Sequence, residues 1–169
     1  MTQHYIIMGI CGCGKTTVAE ALQQQLHCPF AEGDVFHTQA NRDKMGAGIP
    51  LNDDDRRPWL ERLRDWMSEQ ARHGARHTIV TCSALKRSYR DILRQAQGEV
   101  HFVHLSPPIA ANRARMESRQ GHYMKAGMIQ SQLDTLQPLA AGEQGVVITS
   151  AGAPDEVMVD VMRYVNAQG

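Results

Sequence analysis

Near the start of the chain stands the stretch Gly9-Ile10-Cys11-Gly12-Cys13-Gly14-Lys15-Thr16, which matches the pattern G-x-x-x-x-G-K-[ST] at every fixed position. The apolar run Tyr5–Met8 before it predicts a buried strand, and the apolar spacing from Lys15 to His27 predicts a helix. In a strand, glycine-rich turn and helix of this kind, backbone N–H groups and the positive end of the helix surround phosphate oxygens. The stretch therefore predicts a nucleotide-binding α/β fold.

Two side chains of this stretch have predicted chemical roles. Lys15 is expected to reach the β- and γ-phosphates of a bound nucleotide, and the Thr16 hydroxyl is expected to ligate Mg²⁺. GTPase switches and motor ATPases carry the same loop, so the loop alone does not predict an enzyme. The remainder of the chain must show whether a second substrate is bound.

Downstream, short apolar runs alternate with longer amphipathic segments. We predict strands at Thr78–Cys82, Val100–Leu105 and Val146–Ile148, and a short extended piece around Phe30. Helices are predicted to begin at Asp53-Asp54-Asp55 with Pro58 in the first turn, at Lys86 (to Gln97), after Pro107-Pro108, and around Val157–Val165. Alternation of this kind predicts a parallel sheet covered on both faces, with ligands bound beyond the carboxyl ends of its strands.

Composition narrows the class of protein. The 169 residues suit one domain, and 18 basic against 18 acidic residues give no net charge to attract nucleic acid or an anionic membrane. No apolar run is long enough to span a bilayer, and the first residues lack the charged region of a secretion signal. We therefore expect a cytoplasmic protein whose four cysteines are free thiols, and Cys11 and Cys13 form too isolated a pair to predict a metal site.

Two carboxylates follow the second predicted strand. Glu32 and Asp34 are two residues apart, and side chains at this spacing on a strand point to the same side. One carboxylate could hold the Mg²⁺ shell through water while the other accepts a hydroxyl proton during phosphoryl transfer. A turn with two solvated acids fits the spacing equally well.

Further polar side chains gather after the predicted strands and suit a polyhydroxylated anion better than an apolar substrate. They are His37, Asn41, Lys44, the run Asn52–Arg56, the run Ser83–Lys86 and the run Tyr89–Asp91. Arg115 and Arg119 are four apart on a predicted helix, so both can face the same phosphates. That helix leads into Gly121, a plausible hinge for a lid.

Taken together, these motifs resemble those of the small P-loop gluconokinase family, which is related to shikimate kinase and the nucleoside monophosphate kinases. The resemblance runs nearly end to end, and the Pro50–Trp59 and Cys82–Lys86 segments are its most specific parts. The matching stretches are Gly9–Thr17, Gly33-Asp34-x-x-His37, Asn41-x-x-Lys44-Met45, Pro50–Trp59, Cys82–Lys86, Tyr89–Asp91, Arg119-x-Gly121-His122 and Gln132-x-x-x-Leu136-Gln137.

The resemblance implies a fold. It predicts a nucleoside-monophosphate-kinase-like P-loop NTPase with three α/β/α layers, a parallel sheet and a helical lid. The whole chain, 1–169, would be a single kinase domain with the lid around 119–130, and such kinases are often homodimers.

The resemblance also implies an activity, the phosphorylation of D-gluconate at its 6-hydroxyl with ATP and Mg²⁺ to give 6-phospho-D-gluconate and ADP. Lys15 and Arg119 would neutralise charge on the transferred group, Thr16 and Glu32 would lie at the metal, and Asp34 would lie at the acceptor hydroxyl. The nucleotide would be bound by Gly9, Cys11, Gly12, Cys13, Gly14, Lys15, Thr16, Thr17 and, at the adenine, Arg115. The sugar acid would be bound by Asp34, His37, Arg56, Lys86, Arg90 and His122.

The chain departs from the family pattern at two places. The family commonly has serines where this chain has Cys11 and Cys13, and commonly has aspartate at position 32, where this chain has the longer Glu32. Backbone groups grip the phosphates, so the first change should preserve binding while exposing the loop to thiol chemistry. The second leaves open whether Glu32 or Asp34 lies nearer the metal. Rival activities are a shikimate- or nucleotide-type kinase, a kinase of a related sugar acid, and a nucleotide sensor without turnover.

Overall fold

The fold is built on a five-stranded parallel sheet in the order β2-β3-β1-β4-β5. The computed structural model describes residues 1–118, 126–150 and 153–168. Parallel neighbours require crossover connections, and helices supply them between the strands of this sheet. The predicted parallel sheet is confirmed. The strands are β1 Gln3–Met8, β2 Phe30–Glu32, β3 His77–Thr81, β4 Glu99–Leu105 and β5 Gly145–Ile148.

The helices cover both faces of this sheet. A short 3₁₀ helix, Gly33–Phe36, also follows β2 directly. The α-helices are α1 Lys15–Leu26, α2 Gln39–Gly46, α3 Asp53–Arg72, α4 Arg87–Leu93, α5 Ile109–Ser118, α6 Ala126–Thr135 and α7 Pro154–Ala167.

The central strand β1 divides the core into two halves. Tyr5 and Ile7 face α1 and α7, whereas Ile6 and Met8 face α3 and α4. All four side chains are at most 1% exposed, because alternate residues of a strand point to opposite sides and both sides are covered here. The three-layer α/β/α arrangement implied by the family resemblance is confirmed. It brings the residues that follow β1, β2 and β3 to one edge of the sheet.

The start of α3 combines several helix signals. The Asn52 side chain accepts from the Asp55 N–H at 2.8 Å, and the Asp55 carboxylate accepts from the Asn52 N–H at 3.0 Å, which forms a capping box. The predicted helix start at Asp53 is confirmed. Pro58 lies in the second turn rather than the first, inside the helix.

Two helices differ from the prediction. The helix predicted from Lys86 to Gln97 spans only Arg87–Leu93, and the chain then reaches β4 through Gly98, whose φ is 111°. Helix α2 has no apolar period and was not predicted. It begins where the Thr38 side chain accepts from the Asn41 N–H at 3.1 Å. Within the described residues, no helix is both long and apolar enough to cross a membrane.

Several histidines are buried in the sheet. His4 and His101 are completely buried on the adjacent strands β1 and β4. Burial lowers the pKa of His4, against the opposing effect of the Gln97 carbonyl. It also lowers the pKa of His101, with Glu99 raising and His4 further lowering it. Both rings are therefore held neutral in the folded protein.

These histidines should make the fold sensitive to acid. Well above about pH 6.5, these histidines are neutral in both the folded and the unfolded chain, so their full contribution to the free energy of unfolding is present. As the pH falls below that value, the unfolded chain binds protons that the folded chain excludes, and the free energy of unfolding decreases. Urea denaturation at about pH 7.5 and about pH 5.5 should show this loss. A variant with His4→Gln should lose less free energy of unfolding between these two pH values. Equal stability of the wild type at both pH values would contradict the assignment of these histidines as neutral in the folded protein.

Candidate active site

The loop between β1 and α1 has the geometry of a phosphate cradle. Gly9, Gly12 and Gly14 have φ values of 147°, 77° and 95°, which disfavour any side chain. A Cβ atom on Gly9 would lie 2.6 Å from the Leu105 carbonyl oxygen, so the loop is also closely packed. The Lys15 Nζ atom donates to the carbonyl oxygens of Gly9 at 3.0 Å and Ile10 at 3.3 Å. The ammonium group thus lies against the loop.

The other loop side chains are divided between the protein interior and solvent. Cys11 and Cys13 are buried, at 8% and 4% exposure, whereas Thr16 and Thr17 are exposed in the first turn of α1. The Thr16 hydroxyl is therefore accessible at the start of α1, and its role at a metal ion stays a prediction. The loop presents backbone and hydroxyl groups outward and keeps its thiols inside.

Helix α5 lies against the outer side of this loop. The Arg115 Nη1 atom donates to the Gly12 carbonyl at 3.1 Å, and its guanidinium lies 3.3 Å from where a Cβ on Gly14 would be. Arg115 is therefore at the nucleotide loop, as the expected role beside the adenine requires. That role itself stays a prediction.

The two predicted carboxylates adopt different environments. Glu32 ends β2, and its carboxylate accepts a hydrogen bond from the Thr81 hydroxyl. Asp34 is exposed and lies in the 3₁₀ helix, not on the strand, so the two-residue spacing does not place both on one strand face. The side-chain alternation argued from the sequence is wrong here. Burial raises the pKa of the nearby Cys82 to about 12, the backbone hydrogen bond with Ala84 opposes this rise, Asp34 adds to it and Lys15 lowers the pKa.

His37 lies beside Asp34 in the candidate site. Its ring stacks on Trp59 with 4.3 Å between centroids, and its Nδ1 atom lies 3.2 Å from the Asn41 amide nitrogen. Burial lowers the pKa of His37, Asp34 raises it, and Arg56 lowers it again. Because burial dominates, the ring is neutral at physiological pH and offers nitrogen atoms for hydrogen bonding rather than a charge.

A cluster of two cations, an acid and a phenol lies between α3 and α4. Lys86 donates to both Asp53 carboxylate oxygens, at 3.0 and 3.2 Å, and the Tyr89 hydroxyl donates to the same carboxylate at 2.6 Å. Arg56 donates to the Tyr89 hydroxyl at 3.1 Å. Lys86 and Arg56 each lie 5.6 Å from the centre of the Tyr89 ring. The predicted pair Arg56 and Lys86 is thus brought together.

Tyr89 and Asp53 were not assigned roles from the sequence, although they order the two cations. The sequence feature that could have indicated the contact of Tyr89 with Lys86 was their spacing. Lys86 and Tyr89 are three residues apart at the start of α4, where side chains at that separation share a side of the helix. Nothing local to the sequence indicates that Asp53, from α3, would meet both.

The side chain of Arg90 forms its hydrogen bonds away from this cluster, so the structure does not bring it together with Arg56 and Lys86. Its side chain is 0% exposed and forms an ion pair with Glu143 at 2.8 Å. It also donates to the carbonyls of Ala84 at 2.8 Å and Gln137 at 2.9 Å. These partners surround the guanidinium, so Arg90 supports the loop before α4, and its contact with substrate stays a prediction.

Two remaining predicted residues, Arg119 and His122, lie outside the described residues. So does part of the proposed lid around 119–130, of which the structure describes α6 from Ala126 onward. Among the residues that are described, no group of three or more His, Cys, Asp or Glu side chains could hold a metal ion.

Comparison with known proteins identifies the family of this chain. The family model described as an AAA domain matches residues 5–139. A gluconokinase of Gluconobacter oxydans is 41% identical over 165 residues, which cover 96% of this chain and 91% of that protein. The thermoresistant gluconokinase of Escherichia coli is 39% identical, covering 92% of this chain and 88% of that protein. The chain belongs to the gluconokinase family, among the AAA-domain proteins.

Solved structures of other kinases share the fold of this chain. A sugar kinase from Janibacter has a TM-score of 0.90 at 42% identity, covering 98% of this chain and 95% of that one. A gluconokinase from Sinorhizobium meliloti has a TM-score of 0.86 at 36% identity, covering 98% and 93%. A shikimate kinase from Aquifex aeolicus, at 15% identity, covers 98% and 97% with a TM-score of 0.58 and shares the fold alone. The P-loop kinase fold expected from the sequence is confirmed.

The buried ion pair predicts the effect of removing one partner. Arg90→Met should lower the free energy of unfolding by about 3–5 kcal/mol, because Glu143 would be left as a buried charge without its main partner. The matched control is Arg163→Met, since Arg163 pairs with Asp160 while 74% exposed and should change stability by less than about 0.5 kcal/mol. Urea denaturation measures both. Equal stability of the two variants would contradict the structural role of Arg90.

Proposed function

We propose that this protein transfers the γ-phosphoryl group of ATP to the 6-hydroxyl of D-gluconate, giving 6-phospho-D-gluconate and ADP. The observation that carries the proposal is the position of the acidic and basic side chains beside the phosphate loop, at the carboxyl edge of the same sheet. The relatives that match nearly the whole chain are gluconokinases, which supports this acceptor over shikimate or a nucleotide.

The phosphate loop fits a triphosphate. Its three glycines with positive φ leave room for phosphate oxygens at the backbone, and α1 begins directly after them with its positive end. Lys15 already lies along the loop, where its ammonium would meet the β- and γ-phosphates. Arg115 against Gly12 would flank the adenine.

The donor set fits Mg²⁺, which prefers a few oxygen ligands and substrate phosphates to a cage of protein side chains. Thr16 offers an exposed hydroxyl as a ligand. The hydrogen bond to Thr81 fixes Glu32, so we assign Glu32 to the water shell of the ion rather than to direct contact. When bound, Mg²⁺ offsets negative charge on the phosphates during transfer.

In the transfer step, the 6-hydroxyl oxygen forms a bond to the γ-phosphorus while the bond from that phosphorus to the bridging oxygen breaks. The electron pair of the broken bond leaves on ADP, and Asp34 accepts the hydroxyl proton. Lys15 holds the transferred group in line, and Arg119 would add a second positive charge. Positioning and charge neutralisation therefore account for the acceleration.

The sugar acid would be held by the cluster between α3 and α4. Arg56 and Lys86 supply positive charge for the carboxylate, and the shared Asp53 and Tyr89 keep the two cations from moving freely. Neutral His37 suits a hydroxyl group. His122 would join them from the lid.

The wider arrangement follows the family resemblance. We propose a single kinase domain over 1–169 with a lid around 119–130, a homodimer as the assembly, and a cytoplasmic location. Neither nucleic acid nor a membrane is a proposed partner.

An acceptor panel tests the function. Purified protein with ATP and Mg²⁺ should release ADP much faster with D-gluconate than with shikimate, a nucleoside monophosphate or no acceptor, measured by coupled ADP detection. ADP release that gluconate does not accelerate would refute the proposal. Faster release with another acceptor would correct the substrate.

Two substitutions test the assigned roles. Lys15→Ala should lower turnover at least about 100-fold by removing charge stabilisation in the transition state.

Asp34→Asn should lower turnover about 100-fold or more while ADP binding is largely retained, because the lost group serves the acceptor. Steady-state kinetics and calorimetric ADP titration measure these effects. The control Asp65→Asn changes an exposed acid on α3 and should leave turnover unchanged. A parallel loss of ADP affinity in Asp34→Asn would place Asp34 at the metal instead.

A further inference from the structure

The peptide groups of Cys11 are held from outside the phosphate loop by two helices. The Cys11 N–H donates to the Gln132 side-chain oxygen on α6 at 2.6 Å. The Cys11 carbonyl accepts from the Asn112 side-chain amide on α5 at 3.0 Å. Both polar backbone groups of one residue in the phosphate loop therefore have side-chain partners from the neighbouring helical pair.

An apolar cluster supports these two hydrogen bonds. The side chains of Ile10 and Cys11 pack with Met116 of α5 and Ile129 of α6, and Ile129 is 1% exposed. Gln132 follows Ile129 by three residues on α6, so both side chains lie on the side of the helix that faces the loop. The contact of Gln132 with Cys11 is thus fixed by packing and is not an isolated surface bond.

The chain just beyond α6 is attached to the acceptor side. The Gln137 N–H donates to the Leu85 carbonyl at 2.7 Å, and the Gln137 side-chain oxygen accepts from the Arg87 N–H at 2.8 Å. Leu85 and Arg87 flank Lys86, one of the two cations proposed to bind the sugar acid. The six residues from Gln132 to Gln137 therefore connect the phosphate loop with the acceptor cluster.

We propose that Gln132 is a positioning residue for phosphoryl transfer, which holds the Cys11 peptide so that the phosphate loop keeps its binding geometry and its place relative to the acceptor cluster. Neither the loop pattern nor the assigned site residues include it. Gln132 restrains the Ile10–Cys11 peptide at its N–H, and Asn112 restrains the next peptide at the Cys11 carbonyl, so the N–H groups that follow are kept directed at the phosphates. Less ordering is then needed when nucleotide binds. The inference rests on the proposed nucleotide function but does not depend on gluconate as the acceptor.

The opposite reading of the same contact makes the opposite prediction. If the Gln132 oxygen merely competed with phosphate oxygens for the Cys11 N–H, removing it would strengthen nucleotide binding. If it positions the loop, removing it weakens binding, because a backbone donor loses its partner and the loop becomes less ordered. The direction of the change therefore separates the two.

The test uses Gln132→Met, which keeps the length of the side chain but removes the acceptor oxygen. Amide hydrogen exchange at Cys11, followed by NMR, should accelerate about tenfold or more, because exchange follows local opening. The dissociation constant for ADP and the KM for ATP should rise at least about fivefold, consistent with the loss of one backbone hydrogen bond. The melting temperature should change little.

Two further variants control the result. Gln130→Met lies on the same helix, where Gln130 is exposed and bonds Asp134 at 2.8 Å, and it should match the wild type in every measurement. Gln132→Glu retains an acceptor of the same reach, so Cys11 exchange should stay near the wild-type rate. Unchanged Cys11 exchange in Gln132→Met, or unchanged or tighter ADP binding, would overturn the proposal. Because ADP binding needs no acceptor, it reports on Gln132 even if gluconate is not the substrate.

Discussion

The acceptor side depends on the guanidinium group of Arg90. It is fully buried, pairs with Glu143 and binds the carbonyls of Ala84 and Gln137. Ala84 has a φ of 48°, a left-handed conformation that costs a residue with a side chain on the order of 1 kcal/mol or more. Burial opposes ionisation of Glu143, but hydrogen bonds from Arg90, the Ala140 N–H and Arg94 outweigh it and lower its pKa to about 2. The charged pair thereby holds a strained turn in place.

This arrangement explains which parts of the site could be predicted from the sequence. The strand, phosphate loop and α1 are contiguous, and each follows from local pattern, so this part of the fold was predicted correctly. The burial of Arg90 was not predicted because its partner Glu143 is 53 residues away, and a polar residue near a strand end looks the same in sequence whether it faces a ligand or the interior. The position of Asp34 on the strand was predicted wrongly for a related reason. The two-residue spacing of Glu32 and Asp34 does not indicate that a 3₁₀ helix begins directly after β2.

In the phosphate loop, the backbone groups form hydrogen bonds whereas the cysteine side chains pack in the interior. Cys11 and Cys13 are buried among apolar groups, while N–H and carbonyl groups face α5, α6 and the phosphate side. Cysteine and serine side chains are both small enough for this packing, which accounts for cysteine where the family commonly has serine. It also places the thiols away from solvent, so the sensitivity to thiol reagents expected from the sequence is opposed by burial.

Gly33 has a consequence for how this chain can change over evolutionary time. A Cβ atom at this position would lie 2.1 Å from the Thr81 carbonyl oxygen, a separation that no rearrangement of a side chain can relieve because the obstacle is backbone of the adjacent strand. The Gly33 carbonyl also accepts from the Trp59 indole at 2.7 Å. In lineages descended from this sequence, the middle residue of the Glu-Gly-Asp triplet is therefore fixed by packing rather than by chemistry. The middle position is closed to drift even in a descendant that has abandoned catalysis.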